Sequence, residues 1–591
     1  MEEVLGRMRN VPLEEKELQM ISKVIRKTYK TLILFFAVAI LALLCAYNAS
    51  STACFINWEH TAYVDDSVKK QILLIIFVCA ILIKFKESKS YERLTKKVQD
   101  DTSFIQIRFV LLATIFAGCT VWILSTQFVP GVDEWAVQDI TSRAIRGDFS
   151  DFQSMGYMDQ YPNQWGLFIV SYIIALLFGA QNYLILQIFI AFAITIIFKE
   201  LSEITALLGV GRIGQLAVIG VGILYIPFPI YSIMVYGNMI GVAMALTAVK
   251  YELRYFQKST FDDAIKCGIC IAFGILFKSN MEIYFLALLF TASIELFYTP
   301  RNALKLIVVL IAAFLLQSVG IKLIISWLTG CTPNQHIPAT AWVAMGLQDG
   351  DLAPGWWNSY TVNSYYECGG DVALHSLVVK SNIVESIRAF IQNPSYAVEF
   401  FSKKILSTWA NPSFQCFGTI RNGSYVYTPV WVRFILSYHG QYYIGIYLNA
   451  FCFVLYFGAL LDMLFAKMDN LEHLILPMVF VGGFIFYLFW ETKARYGLMF
   501  FVALLPHSIR GYSLLISKLT DNPITITTIP RKLSKLIRNA PLRFAAAALV
   551  ALFFCGIYGT KYSYLLKQDT ATYYDYVANS GWQEKTEFIG K

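Results

Sequence analysis

The sequence predicts an all-α polytopic membrane protein, and its composition and the lengths of its apolar runs carry that prediction. Of its 591 residues, 57% are hydrophobic and only 15% are charged, whereas about a quarter of the residues in soluble domains are charged. Many of the apolar runs are roughly 17–25 residues long, which is the length of a helix that crosses a bilayer. Basic segments between several runs fit cytoplasmic loops. The net charge of +8 therefore indicates membrane orientation and not nucleic-acid binding.

The loop charges orient the spans along the chain. The basic N-terminus is expected inside, and the third span emerges outside just before residue 129. Apolar runs lie near 31–48, 71–86, 109–127, 164–180, 183–199, 213–230, 239–250, 262–277, 283–298, 306–328, 441–465, 473–490, 496–515 and 544–560. The charges allow one net crossing between 147 and 199, so part of 164–183 should be re-entrant or lie along the outer leaflet. We expect about 13 transmembrane helices, with outer-face loops and short juxtamembrane helices.

Five regions follow from this arrangement. They are an N-terminal cytosolic segment with two extra spans (1–106), a core with an acidic outer loop at 129–163 (107–328), a large extracytoplasmic loop (329–440), the C-terminal spans (441–562) and an extracytoplasmic tail (563–591). The large loop is rich in aromatic and turn-forming residues and too polar to cross the membrane. Because this loop is expected outside the membrane, where disulfides can form, one disulfide among Cys331, Cys368 and Cys416 is an open alternative.

The most unusual polar feature is the adjacent pair of carboxylates Asp133 and Glu134, which follows the third span. Ionisable groups at a membrane edge are costly and are by default functional candidates. Long basic side chains can reach back to water from such a position, but short carboxylates do so poorly. The pair is therefore the candidate reaction centre.

The segment after the pair has helical periodicity. Apolar residues recur at spacings of three and four, and Asp139 stands four residues before Arg143, a favourable separation for an ion pair on one helix face. We expect a helix over 134–146 that lies on the outer membrane surface and stops at Gly147. Residues 148–163 are expected to fold back over the site.

Other polar groups are expected at the same membrane face. Sugar transfer from a lipid phosphate needs a carboxylate that takes the acceptor's proton and cations that stabilise the departing phosphate. The candidates are Asp133 as base with Glu134 as its catalytic neighbour, Arg495, Lys278 and Tyr496 for the donor phosphate, and Tyr161, Glu491 and Asn280 for substrate. The two acids could also hold a divalent cation, Mg²⁺ or Mn²⁺, because hard cations prefer carboxylate oxygens.

The order of several short motifs along the chain is more informative than any one of them. A span leads to the acidic pair, then to Arg146-Gly-Asp148, then to Tyr161-Pro162 before apolar sequence resumes, and Glu491-Thr-Lys-Ala-Arg-Tyr496 follows near the C-terminal spans. In this order the chain, over about 107–510, resembles the GT-C class of integral-membrane glycosyltransferases. It is most similar to the branch that contains protein O-mannosyltransferases and the aminoarabinose transferase of lipid A. Many members have Tyr-Pro-Pro where this chain has Tyr161-Pro-Asn163.

The resemblance implies an inverting transfer of a sugar, hexosyl or pentosyl, from a polyprenyl-phosphate-linked donor. It places Asp133 as base or acceptor-binding residue, and Arg495 and Tyr496 beside the donor phosphate. The acceptor would be an extracytoplasmic component of the cell envelope, such as a glycan, a teichoic acid or a lipid. The protein would lie in a plasma membrane, and the overall character of the sequence favours that of a bacterium. Its N-terminus would be in the cytoplasm, and its site would be on the outer face, in contact with membrane lipids.

Two other functions stay open. A transporter of lipid-linked saccharides would need polar groups along a path through the membrane and usually internal repeats, whereas here the charges gather at one face. A polysaccharide polymerase or ligase would depend on basic residues of the large loop, for which Arg421, Arg433, His375 and His439 are available. Motifs of phosphate-loop ATPases, zinc proteases and α/β-hydrolases are missing from the sequence.

Overall fold

The computed structural model describes residues 13–56, 60–331, 337–420, 423–426, 428–468, 470–521 and 540–559. The helices are α1 Leu13–Ser50, α2 Val68–Lys86, α3 Lys89–Gln99, α4 Asp101–Thr126, α5 Val132–Ile145, α6 Tyr157–Gln160, α7 Trp165–Phe178, α8 Tyr183–Leu207, α9 Arg212–Leu224, α10 Pro227–Tyr231, α11 Asn238–Lys258, α12 Phe261–Phe277, α13 Glu282–Glu295, α14 Pro300–Thr329, α15 Thr340–Gly346, α16 Tyr360–Glu367, α17 Val372–Gln392, α18 Pro394–Trp409, α19 Cys416–Thr419, α20 Val430–Leu436, α21 Tyr438–Phe465, α22 Ile475–Phe489, α23 Ala494–Phe501, α24 Leu505–Asp521 and α25 Pro541–Gly559. The strands are β1 Ser51–Ile56, β2 His60–Asp65, β3 Phe128–Pro130 and β4 Gly423–Tyr425. The predicted tail 563–591 lies outside the described residues.

Seven helical segments within the described residues are long and apolar enough to cross a membrane. They are Met20–Ser50, Asp101–Thr126, Tyr183–Leu207, Pro300–Thr329, His439–Phe465, Leu471–Phe489 and Ala494–Thr520. The chain is therefore a polytopic α-helical membrane protein, as the composition predicts. Helices α9 and α25 are apolar but shorter, and α2, α11 and α12 also coincide with expected spans. The total of about 13 crossings stays a prediction.

Burial separates helices that face outward from those that form the core. In α14 only 6% of the most apolar window is buried, and Leu316 is 74% exposed. Such a long apolar face fits contact with lipid. In contrast, Leu41 and Leu44 of α1 are fully buried in one cluster with Ile194 of α8 and Ala243 of α11. The N-terminal helix, placed in a separate region by the sequence analysis, thus packs in the main core.

The acidic outer loop contains the expected helix, now α5. Arg143 pairs with Asp139 at 3.0 Å and with Asp151 at 2.6 Å, which ties the following segment to the helix. The helix ends where expected, because Gly147 adopts φ +87° and its N–H bonds to the Ala144 carbonyl at 3.0 Å. This left-handed conformation favours glycine.

The apolar stripe of α5 differs from the expectation of a helix on the membrane surface. Val137, Ile140 and Ala144 are buried in a cluster with Phe168 of α7 and Ile325 of α14. The stripe therefore packs against protein rather than lipid. A surface helix and a helix covered by neighbouring helices have the same periodicity, so the pattern alone cannot separate them.

The chain turns sharply just before α7. The segments Ser150–Gln160 and Pro162–Phe178 are bent by 100° relative to each other, which is the geometry of a broken span or a re-entrant loop. Helix α7 has only 14 residues, whereas α8 after it has 25. The single net crossing expected between 147 and 199 stays a prediction.

The large loop 329–440 is mostly helical in its described part, from α15 to α20. Two small sheets attach it to the rest of the chain. Strand β4 pairs antiparallel with β3, which directly precedes the acidic pair. The β1–β2 hairpin receives a bond from Asn411 Nδ2 to the Ala53 carbonyl at 2.7 Å. Cys331, Cys368 and Cys416 are all free thiols, so none of these three is in a disulfide.

Candidate functional site

Four segments that are distant in sequence meet beside the acidic pair. They are the first turn of α5, the residue after α12, the turn before α11, and the turn after α22 with the start of α23. They contribute Asp133 and Glu134, Lys278, Tyr236, and Glu491 with Arg495 and Tyr496, whose charges and rings act on one another. The structure thus brings together most of the candidate residues of the sequence analysis.

The start of α5 separates the two acids. Consecutive residues of a helix differ by about 100° in direction, so Asp133 and Glu134 face different surroundings. Asp133 is half-buried, and one of its oxygens accepts a bond from the Tyr157 hydroxyl at 3.3 Å. Glu134 is only 6% exposed, and its Oε1 has no hydrogen-bond partner among the described residues. Val132 before them has φ +52°, a costly conformation for a β-branched residue.

The buried carboxyl of Glu134 has a shifted pKa. Burial raises the pKa to about 7, the Arg495 charge acts in the opposite direction, and the neighbouring Asp133 charge raises it further. A carboxyl with such a pKa can exchange a proton near neutral pH. Of the two acids, Asp133 is the more accessible and Glu134 the more strongly perturbed.

Lys278 is held opposite the acids by a close backbone approach. A Cβ at Gly237 would lie 1.8 Å from the Phe277 carbonyl oxygen, so only glycine allows this packing at the end of α12. The Lys278 ammonium is buried and lies 4.6 Å from the centroid of the Tyr236 ring and 5.4 Å from that of Tyr496. Burial lowers the pKa of Lys278 to about 8, together with the Arg495 charge and against nearby carboxylates. The site therefore holds positive charge in an aromatic setting.

The turn after α22 positions the remaining groups. The Glu491 N–H donates to the Trp342 carbonyl at 3.0 Å, and the Thr492 N–H donates to the Gly355 carbonyl at 2.9 Å. Arg495 then lies with its guanidinium carbon 5.7 Å from the centroid of the Tyr496 ring. The turn is thus fastened to the helical region that follows α14.

Lys404 of α18 supports this turn, and the sequence analysis did not identify it as a candidate residue. Its ammonium is buried and donates to the carbonyls of Leu488 at 3.1 Å and Trp490 at 2.9 Å, and also to that of Gly346. Phe400, Lys404 and Ser407 share one face of α18 and are all buried, and the sequence alone gave no signal of this burial. A lysine on such a face needs partners, and here backbone carbonyls supply them.

Two expected substrate residues have different positions. The ring of Tyr161 lies 4.9 Å from that of Tyr157. Its pKa is raised to about 12, first by burial and then by the charges of Asp133 and Glu491, which places it at the site. Asn280 donates to the Tyr487 hydroxyl, and Tyr487 stacks on Tyr496. Asn280 is therefore linked to the site through these rings. The sequence analysis missed Tyr157 and Tyr236.

The divalent ion considered from the sequence stays a prediction. Asp133 and Glu134 diverge along the helix, and within the described ranges no group of three or more His, Cys, Asp or Glu is arranged to hold a metal ion. Three cationic side chains, Lys278, Lys493 and Arg495, act on the acids. The step proposed below uses the acids with two of these cations, Lys278 and Arg495.

Comparison with known proteins gives matches among solved structures. No protein-family model matches the chain, and no curated protein does. The chain is similar to the oligosaccharyltransferase of Archaeoglobus fulgidus tethered to an acceptor peptide containing the NVT sequon, with 13% identity and a TM-score of 0.36, over 80% of this chain and 55% of that one. It is also similar to AglB of the same organism in complex with an inhibitory peptide and a dolichol-phosphate, with 14% identity and a TM-score of 0.35, over 80% and 56%. The chain spans about half the length of these structures.

Proposed function

We propose that the protein is a membrane glycosyltransferase that moves a sugar from a polyprenyl-phosphate-linked donor to an extracytoplasmic acceptor of the cell envelope, with inversion at the anomeric carbon. The observation that carries this proposal is the convergence of Asp133 and Glu134 with Lys278 and Arg495 from three separate segments. A base beside two cations is the pairing that transfer from a lipid phosphate requires.

Each group has a role in a balanced step. The Asp133 carboxylate takes the proton of the acceptor hydroxyl as that oxygen bonds to the anomeric carbon of the donor. The bond from this carbon to the phosphate oxygen breaks, and polyprenyl phosphate departs with the electron pair. Arg495, whose planar guanidinium can hold two oxygens, and Lys278 stabilise the negative charge. Glu134 and Tyr161 orient the acceptor.

The proposed setting is the outer face of a plasma membrane, bacterial by the character of the sequence. Helix α4 ends at Thr126, a few residues before Asp133. A lipid donor would therefore present its phosphate from the membrane, and the acceptor would approach from the side of the helical region that follows α14. The acceptor would be a glycan, a teichoic acid or a lipid. The sugar would be a hexose or a pentose.

One of the four basic residues named for the polymerase or ligase alternative is buried, whereas Arg433 and His439 are exposed. That function would draw on basic residues of the large loop, yet His375 is buried and bonded to the Ser364 hydroxyl at 2.8 Å. Arg421 lies outside the described residues. The cations Lys278 and Arg495 beside the acids come from the end of α12 and the first turn of α23.

The test follows labelled sugar from polyprenyl-phosphate donors in membranes with matched amounts of each variant. Asp133→Asn and Arg495→Gln should lose transfer by at least about a hundredfold, because a base and a charge partner of the transition state are each removed. Asp262→Asn is the control, since this aspartate is exposed at the opposite end of α12 from Lys278. Wild-type transfer by Asp133→Asn would overturn the proposed role of this residue.

A further inference from the structure

A second concave site lies in the helical region after α14. This outer groove is formed by Leu347, Gln348 and Asp349 after α15, Glu385 and Phe390 of α17, and Tyr396 of α18, with Ser386 and Ala389 between them. It is a largely open depression of about 420 Å³, a volume within the range of small-ligand sites. The sequence analysis assigned no role to these residues.

The lining of the outer groove selects a ligand chemistry. Two carboxylates, Asp349 and Glu385, face the space, and no Lys or Arg is among its lining residues. The rings of Phe390 and Tyr396 stack at 5.5 Å with 27° between their planes. Carboxylates accept hydrogen bonds from hydroxyls, whereas their charge repels phosphates and other anions. Rings beside acceptors fit a neutral sugar, which has an apolar face and hydroxyls at its edge.

The polar groups of the outer groove are held in place. The Tyr396 hydroxyl donates to Asp349 Oδ2 at 2.6 Å, and Asn358 Nδ2 donates to Gln348 Oε1 at 3.1 Å. These bonds fix the acceptor atoms before a ligand arrives, which lowers the entropy lost on binding. Glu385 is exposed and open to a ligand.

Backbone contacts connect the outer groove to the reaction centre. The Gln348 carbonyl accepts from the Gly355 N–H at 2.8 Å, and the Gly355 carbonyl accepts from the Thr492 N–H at 2.9 Å. A Cβ at Gly346, just before the groove, would lie 2.7 Å from the Glu491 nitrogen. The groove and the turn that holds Glu491 are therefore parts of one packed unit.

We propose that the outer groove binds neutral sugars of the acceptor glycan that do not themselves react. This inference rests on the proposed transfer, since it assigns the acceptor a second point of contact. It divides the recognition by charge: Lys278 and Arg495 serve the anionic donor, and the acidic, aromatic groove serves an uncharged acceptor. An acceptor made of polyol phosphates is thereby disfavoured.

Binding is measured first, without transfer. The full chain in nanodiscs is titrated by saturation-transfer NMR with neutral oligosaccharides of hexoses and pentoses, and with a glycerol-phosphate oligomer as the anionic probe. A neutral oligosaccharide should bind, and Glu385→Gln and Tyr396→Phe should each weaken binding about tenfold, the loss of one hydrogen bond to a charged or fixed partner. Glu367→Gln, an exposed glutamate of α16 outside the groove, is the control.

Transfer kinetics give the second readout. Glu385→Gln should raise KM for the neutral acceptor about tenfold and leave kcat within twofold, because the groove is apart from the reacting atoms. Asp133→Asn should lose transfer yet still bind the oligosaccharide, so failure of the groove and failure of the proposed function are distinguishable. Unchanged binding in both groove variants, no binding of any neutral probe, or preference for the anionic probe would each overturn the inference.

Discussion

Replacing Glu134 with glutamine should remove a pH dependence of stability that this one buried carboxyl creates. In the folded chain the pKa is raised from 4.5 to about 7, chiefly by burial. Between these two values the folded state holds one proton more than the unfolded state. Stability therefore falls as pH rises from about 4.5 to about 7 and then levels off.

The size of the effect follows from the same shift. Moving a pKa from 4.5 to about 7 corresponds to roughly 3 kcal/mol between the two protonation states. Ionised Glu134 thus costs the folded state about that much above pH 7, and glutamine avoids the cost. Relative to wild type, Glu134→Gln should gain about 3 kcal/mol of stability between pH 4.5 and pH 8.

Thermal unfolding in nanodiscs, followed by tryptophan emission from pH 4.5 to pH 8, measures this difference. The gap in Tm between Glu134→Gln and wild type should widen as the pH rises from 4.5 to about 7 and stay constant above that. Asp262→Asn, which alters an exposed carboxylate 70% accessible to solvent, should give a small offset that does not change with pH. Parallel curves for Glu134→Gln and wild type would refute the assignment of a raised pKa to this residue.

Two further pairs of variants test how the site is positioned. Lys404→Met leaves three backbone carbonyls without their donor. It should lower the free energy of unfolding by about 2 kcal/mol and reduce transfer by more than tenfold. The control is the adjacent Lys403→Met, which breaks only an i,i+4 ion pair and should cost about 0–1 kcal/mol. Thermal unfolding and transfer assays measure both, and equal losses would contradict the role of Lys404. Gly237→Ala would put a Cβ 1.8 Å from a carbonyl oxygen and should reduce transfer by up to about a hundredfold. The control is Gly220→Ala, whose added Cβ meets nothing within 4 Å; it should stabilise α9 by about 0.5–1 kcal/mol and leave transfer normal. Normal transfer by Gly237→Ala would show that the close approach of Gly237 to Phe277 does not hold the site.

Local patterns were sufficient for the acidic loop. The spacing of Asp139 and Arg143 predicted their ion pair, and Gly147 predicted the end of α5. These features depend on residues within a turn or two of each other, so the sequence contains the whole cause. The loop charges predicted one net crossing between 147 and 199, and this stays a prediction beside the 100° bend observed before α7.

Features that depend on distant partners were not predictable in this way. The stripe of α5 fitted a lipid surface as well as a protein surface, and only the position of Phe168 and Ile325 decides between them. The sequence does not distinguish Lys404 from other lysines near a membrane, because the three carbonyls that its ammonium contacts belong to two distant segments. The raised pKa of Glu134 depends on burial, which no residue in its own loop reveals.

The sequence by itself determined the membrane class, the helical outer segment and the set of polar residues from which a site could be built, because apolar length, periodicity and charge act locally. The tertiary structure decided which of those residues share a site. Lys278, Arg495 and the acidic pair meet because the end of α12 and the first turns of α5 and α23 lie at one place. It also set the protonation of Glu134, since the cost of burying a charge is fixed by everything packed around it.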